Sequence, residues 1–329
     1  MNLRTLTVAA TLAFTLTAAA GAAMMMEPPA ATPDTGGAKA KPKVYDEKAD
    51  AKVQIASAVA KAKKDNKRVL VQWGGNWCGW CIRLHALYKS DAKIARELMY
   101  EYEVVMVDAG QPNGKNEDLA KVYGADLSKG YPYLTVLDGN GKAIANQETD
   151  GLEVKDGSGK STGLEAGHSP AAVLKFLTDH KATYAKADDV LKAGVAEAKT
   201  SGKRVFVHFG APWCGWCHRL EDWMAMPEVA ALVGKEFVDV KIDTDRMVGG
   251  QAMLDAMNKG KSGGIPWFVF LDEAGQPIID SVGPKGNAGF PSAPAEVEHF
   301  GVMLKKAAKV LTADDIAKLT AMLGKKDGK

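Results

Sequence analysis

The sequence predicts an α/β protein built as two tandem copies of one domain, behind an export leader and a linker. Three observations carry this. Trp-Cys-Gly-Trp-Cys occurs twice, at residues 77–81 and 213–217, and uses every cysteine of the 329-residue chain. Residues 68–84 laid over 204–220, a shift of 136, match at 11 of 17 positions. The shift is far longer than a solenoid repeat and fits a whole domain. Around both copies, amphipathic stretches alternate with short β-rich runs.

The first 23 residues read as a signal peptide. Arg4 gives a positive start, Thr5 to Ala20 form a small apolar stretch, and Ala20-Gly21-Ala22 suits signal-peptidase cleavage. The run is shorter than the roughly 20 residues that span a bilayer, so no stable membrane anchor is expected. Residues 24–45, rich in Pro, Ala, Gly and Lys, read as a flexible linker. The domains are placed at 46–183 and 184–329, and a periplasmic or extracellular location is expected.

Each copy opens with an amphipathic helix, 47–64 or 186–201. Ile55, Val59 and Ala62 make one apolar face, repeated by Leu191, Val195 and Ala198. "KRVLVQW" and "KRVFVHF" follow as buried strands, then the double-Cys turn and a helix through Leu84 or Leu220. "YEVVMVD" and "EFVDVKID" are the next strands, with helices near 117–124 and 247–259. "PYLTVLD"/"KAIANQ" and "PWFVFLD"/"PIIDSV" pair as hairpins across "GNG" and "EAG". Pro170 and Pro294 open closing helices, and Thr312 caps one extra C-terminal helix over 313–323. The expected order is α-β-α-β-α-β-β-α, twice.

Composition excludes little but is informative. A formal net charge of +2 gives no reason to expect nucleic acid or an acidic membrane surface as partner. All four cysteines fall in two Cys-x-x-Cys pairs, and a bridge across two residues closes too short a loop to be an efficient staple. The pairs are therefore expected to serve chemistry.

Each half resembles the thioredoxin-like superfamily. The resemblance rests on strand, Trp-Cys-x-x-Cys and helix, then an Xaa-Pro opening a late strand: Cys78 and Cys81 with Tyr131-Pro132, Cys214 and Cys217 with Ile265-Pro266. It implies a three-layer α/β/α domain with a mixed central sheet, and thiol–disulfide exchange with protein substrates. At a helix start, residues i and i+3 share a face with Cα atoms about 5–6 Å apart, as a disulfide needs. The first cysteine meets free N–H groups and the positive end of the helix dipole, which favour thiolate. Cys78 and Cys214 are then the attacking residues, and Cys81 and Cys217 resolve the mixed disulfide. The expected redox centres are Cys78–Cys81 and Cys214–Cys217, with no other cofactor and no metal. The expected partners are protein thiols or disulfides and an electron donor or acceptor.

By the same resemblance Pro132 and Pro266 are cis and line the substrate groove with Tyr131 and Ile265. On the bland reading they are prolines tolerated at a strand's first residue. Trp77 and Trp213 are either core aromatics or flank the site. Trp80 and Trp216 lie inside the motif, where Gly-Trp matches neither the Gly-Pro of thioredoxin nor the Gly-His of protein disulfide isomerase. Reduction, oxidation and isomerisation all stay open. Where thioredoxin has a buried acid six residues before its first cysteine, this chain has Gln72 and His208. His208 is a candidate proton acceptor for Cys217, since a histidine titrates near neutral pH; the alternative for it and for His218 is packing or surface variation. The long segments 150–169 and 283–295 are either substrate-shaping flaps or idle loops. Two other classes compete: a non-catalytic binding or chaperone module on this scaffold, and a zinc site made of all four cysteines.

Overall fold

The computed structural model describes residues 43–110, 114–260 and 263–323. The expected signal peptide and the linker up to residue 42 lie outside the described residues.

In the first half, α1 (Ala51–Lys64) starts where the Asp50 carboxylate accepts the N–H groups of Lys52 and Val53, and it ends in a basic turn of Lys61, Lys63 and Lys64. Strand β1 (Arg68–Gly74) follows, then α2 (Gly79–Ser90), α3 (Ala92–Glu101) and β2 (Tyr102–Asp108). Helix α4 (Glu117–Val122), the hairpin β3 (Tyr133–Leu137)/β4 (Ala143–Glu148) and α5 (Pro170–His180) complete it.

The second half repeats this as α6 (Ala187–Ser201), β5 (Arg204–Gly210), α7 (Gly215–Ala225), α8 (Pro227–Glu236) and β6 (Phe237–Asp243). Helix α9 (Gly250–Asn258) and the strands β7 (Trp267–Leu271) and β8 (Pro277–Asp280) come next. A two-residue ribbon, β9 (Val282–Gly283) with β10 (Gly286–Asn287), precedes α10 (Pro294–Ala307) and α11 (Ala313–Ala321).

The two sheets have the same order, β2-β1-β3-β4 and β6-β5-β7-β8. In each the central strand runs parallel to one neighbour and antiparallel to the other: Val71 faces Val105 on β2 and Thr135 on β3, and Val207 faces Val240 and Val269. The mixed sheet expected from the resemblance is therefore present in both halves. Strand β1 alternates between two cores. Val69, Val71 and Trp73 join Ile55 and Val107 on the α1 face, while Leu70 joins Leu84, Ile94 and Phe176 on the other. Strand β5 does the same, and Phe206, Phe237, Phe268, Phe270 and Phe300 fill its far face.

The expected element order needs one correction per half. Two helices, not one, separate the first and second strands, because α3 and α8 were not expected. Asp91 ends α2 and caps α3 in the same extended residue, with its carboxylate on Lys93 and Ile94 N–H. Met226 likewise ends α7 and precedes α8 with no side-chain cap, Pro227 opening the second helix. With no loop to mark the break, each pair reads as one long helix. The first helix also starts later than expected, at Ala51.

Candidate active sites

Both cysteine motifs sit where a central strand, buried from its second residue onward, turns into a helix. Cys78 is the N-cap of α2 and its Sγ receives the Cys81 N–H at 3.1 Å; Cys214 caps α7 and receives the Cys217 N–H at 3.1 Å. Each pair is closed as a disulfide, with Cα atoms 5.2 Å apart. The first cysteine of each pair is the more exposed residue: Cys78 is 6% exposed against 0% for Cys81, and Cys214 4% against 2% for Cys217. These two intramolecular disulfides are the redox centres. Because each closes within its own half, the four sulfurs are not gathered into a single ligand set. Among the described residues no group of three or more His, Cys, Asp or Glu is placed to hold a metal ion.

The Tyr131-Pro132 and Ile265-Pro266 peptides are both cis. Cys214 Sγ lies 3.6 Å from the Ile265 carbonyl oxygen, and Tyr131 packs on the cluster formed by Cys78 and Cys81. Trp77 and Trp213 are 43% and 57% exposed, which excludes a core role. Trp77 packs edge-on against Tyr131 at 5.2 Å. Trp213 Nε1 donates to Asp245 Oδ2 at 3.0 Å, and the same oxygen accepts Tyr100 Oη at 2.8 Å. A side chain of the first half thus supports the rim of the second site.

The motif tryptophans differ in their surroundings. Trp216 is exposed, stacked on Phe290 from the 283–295 segment, with Arg219 over its ring. Trp80 is partly covered, edge-on to His168 at 5.3 Å. Burial pushes the His168 imidazole down to about 4, so it is neutral at physiological pH. The 150–169 segment packs against the first site. Leu164 closes on Gly79, the Arg83 guanidinium donates to the Glu165 carbonyl, and a cavity of about 360 Å³ lies between Leu164 and Trp77.

Gln72 and His208 occupy matching buried positions on β1 and β5 but face different partners. Gln72 Nε2 donates to the Cys81 carbonyl at 3.2 Å and to Tyr45 Oη at 2.5 Å. His208 Nε2 lies 2.9 Å from Asp239 Oδ1. Burial alone would raise the Asp239 carboxyl, yet His208 and Lys64 outweigh it and hold the group well below the usual range. His218 Nε2 faces the Pro212 carbonyl at 2.9 Å, a local contact. Tyr45, expected to end a flexible linker, is instead buried at 3% exposure against Cys78 and Cys81. Its signal in the sequence was slight: Val44-Tyr45 is the first apolar pair after a Pro- and Lys-rich stretch.

Comparison with known proteins agrees with this geometry. Residues 55–151 match the family model described as a thioredoxin-like domain, and residues 186–273 match one described as thioredoxin-like. The chain carries two thioredoxin-like domains. Among curated proteins it is similar to protein disulfide-isomerase erp38 of Neurospora crassa, 26% identical over 230 residues, covering 68% of this chain and 56% of that one. Protein disulfide-isomerase 1 of Dictyostelium discoideum is 27% identical over 194 residues, covering 55% and 46%. The chain thus spans about half the length of these relatives. Among solved structures, the disulphide isomerase from Xylella fastidiosa Temecula1 is 27% identical, with a TM-score of 0.34, over 42% of this chain and 96% of that one. A closed Cys-x-x-Cys pair at the helix start of each thioredoxin-like domain supports thiol–disulfide catalysis.

Proposed function

We propose that the chain is an exported thiol–disulfide oxidoreductase that exchanges disulfides with protein substrates at two sites. The observation that carries this reading is the placement of Cys78 and Cys214 as N-caps. Each sulfur receives a backbone N–H at the positive end of a helix, which favours the thiolate. Cys78 or Cys214 attacks a substrate disulfide, and Cys81 or Cys217, one turn along, displaces the substrate sulfur. Pro132 and Pro266, with Tyr131 and Ile265, form the groove for substrate backbone, and Trp77, Trp80, Trp213 and Trp216 its apolar border. The 150–169 flap, with Leu164 over Gly79 and His168 against Trp80, borders the first site. Export rests on the leader pattern of residues 1–23; no helix among the described residues is long and apolar enough to cross a membrane.

The test is insulin reduction by the purified chain with a small thiol donor. Parent protein is expected to accelerate precipitation of the insulin B chain, and Cys78→Ser with Cys214→Ser to return the rate to that of donor alone. Undiminished activity in that double variant would refute the assignment of the attacking cysteines, and a parent no faster than donor alone would favour a binding module.

A further inference from the structure

The residues ahead of α1 are tied to the first site. Asn76, two positions before Cys78, accepts the N–H groups of Val44 and Tyr45 at 2.8 and 3.0 Å. Its Nδ2 donates to the Tyr45 carbonyl at 2.9 Å and to the Glu47 carboxylate at 3.0 Å, and Lys115 Nζ reaches the Glu47 carbonyl. The second domain has no such clamp. The 136-residue shift puts Pro212 opposite Asn76, with no side-chain amide, and Lys181 opposite Tyr45.

The clamp delivers the Tyr45 phenol beneath the disulfide. A Cβ built on Gly74 would lie 2.5 Å from Cys81 Sγ and 2.7 Å from Tyr45 Oη, so sulfur and hydroxyl converge on one point. The Gln72 amide fixes which way the hydroxyl proton turns. Its nitrogen must face the Cys81 carbonyl, which only accepts, and the same nitrogen donates to Tyr45 Oη. The phenol therefore accepts from Gln72 and keeps its own hydrogen to give. Burial raises the phenol's pKa far more than the Gln72 bond lowers it, so that hydrogen is retained at any working pH.

We propose that Tyr45 donates its phenolic hydrogen bond to the Cys81 sulfur once the first site is reduced, stabilising the Cys81 thiolate. This rests on the thiol–disulfide reading of the site and adds a catalytic residue to it, with Gln72 as its positioning residue. In the resolving step Cys81 releases its proton to water, and its thiolate attacks Cys78 Sγ of the mixed disulfide. The Cys78–Cys81 bond forms and the Cys78–substrate bond breaks. The electron pair leaves on the substrate sulfur, which takes a proton from water: the cysteines are oxidised and the substrate disulfide is reduced. Tyr45 keeps its proton throughout and supplies a hydrogen bond to the developing thiolate.

The test reads a proton, not turnover, so an inactive parent would leave it intact. In the full chain carrying Cys78→Ser, Cys214→Ser and Cys217→Ser, Cys81 is the sole thiol, and thiolate absorbance is followed against pH. Tyr45→Phe keeps the ring and loses the donor. It is expected to raise the Cys81 pKa by about one unit, a roughly tenfold smaller thiolate fraction at a fixed pH below both values. Gln72→Leu, which frees the phenol to turn, is expected to move the pKa the same way, and the two effects together to fall short of their sum. The other groups around the phenol, Asp108 with its Lys115 partner, Tyr88 and Tyr131, are present in every variant and cancel in the comparison. An unchanged Cys81 pKa in Tyr45→Phe, with the melting temperature of its parent, would overturn the inference.

Discussion

Replacing Arg246 with Met is expected to cost the folded chain roughly 3–5 kcal/mol, the usual penalty for leaving a buried charge without its partner. Arg246 is 4% exposed and binds the first domain from the second. Nη1 donates to the Asp65 carbonyl at 2.7 Å, and Nη2 to the Asn66 carbonyl at 2.8 Å and Glu101 Oε2 at 3.0 Å. The first two are orphan acceptors just past the end of α1, where a cation is favoured. Tyr184 Oη completes the Glu101 carboxylate at 2.5 Å. Removing the guanidinium strands a buried carboxylate and two partly buried carbonyls together. The measurement is the urea midpoint and slope of Arg246→Met against parent; a loss below about 1 kcal/mol would show that the contact is peripheral. Arg246→Met with Glu101→Met is expected to recover much of the loss, because it removes both charges.

A second ion cluster at this interface sets the sign of the pH response. Lys241 Nζ lies 2.8 Å from Asp65 Oδ1 and 2.7 Å from Glu221 Oε1. Burial would raise the Asp65 carboxyl, yet Lys241 outweighs it and holds the group below its ordinary value. A carboxyl whose folded pKa is depressed stabilises the fold above its unfolded value, and this is lost as pH falls through the folded one. The interface is therefore expected to weaken below about pH 4.

The second large effect concerns Gly74. A methyl group there would lie 2.5 Å from Cys81 Sγ and 3.2 Å from Cys81 Cβ, with the Tyr45 hydroxyl closing the other side. No flexible side-chain end is available to give way, since Cys81 is tied to Cys78 and Tyr45 is clamped by Asn76. Gly74→Ala is expected to cost about 1–3 kcal/mol by overpacking. It is also expected to slow exchange at the first site roughly 100-fold, since displacing a reacting group by about 1 Å costs that much. The corresponding Gly210 faces Cys217 at 3.1 and 3.2 Å with no tyrosine behind it, so Gly210→Ala is expected to be milder at the second site. Single-site exchange rates, with the other pair changed to serine, check both; equal rates in Gly74→Ala and parent would contradict this crowding.

Much of this architecture is legible in residue order. The repeat around Trp77–Cys81 and Trp213–Cys217, the buried runs of β1 and β5, and the turns at "GNG" and "EAG" are local patterns that tertiary structure leaves intact. What was missed depends on contacts between distant positions. Tyr45 lies 36 residues before Cys81 and is held by Asn76, and neither residue carries a motif. Arg246 and Glu101 are 145 residues apart, and charge alone could not separate them from the many solvated Lys and Glu residues. His168 lies in a Gly- and Lys-rich segment whose composition suits solvent, yet it folds back onto Trp80. Helices α3 and α8 escaped for a local reason, the loss of any loop where one residue serves both as stop and as cap.

Which sulfur the substrate meets decides the mechanism. In the full chain carrying Cys81→Ser and Cys217→Ser, incubated with a disulfide-bonded reporter peptide, intact-mass and fragment analysis should find the peptide covalently attached at Cys78 and at Cys214. Adding Cys78→Ser should remove the first adduct alone, and Cys214→Ser the second. A chain that forms no adduct at either position, or one that couples through Cys81 or Cys217 when only those cysteines remain, would contradict the assignment of Cys78 and Cys214 as the attacking residues.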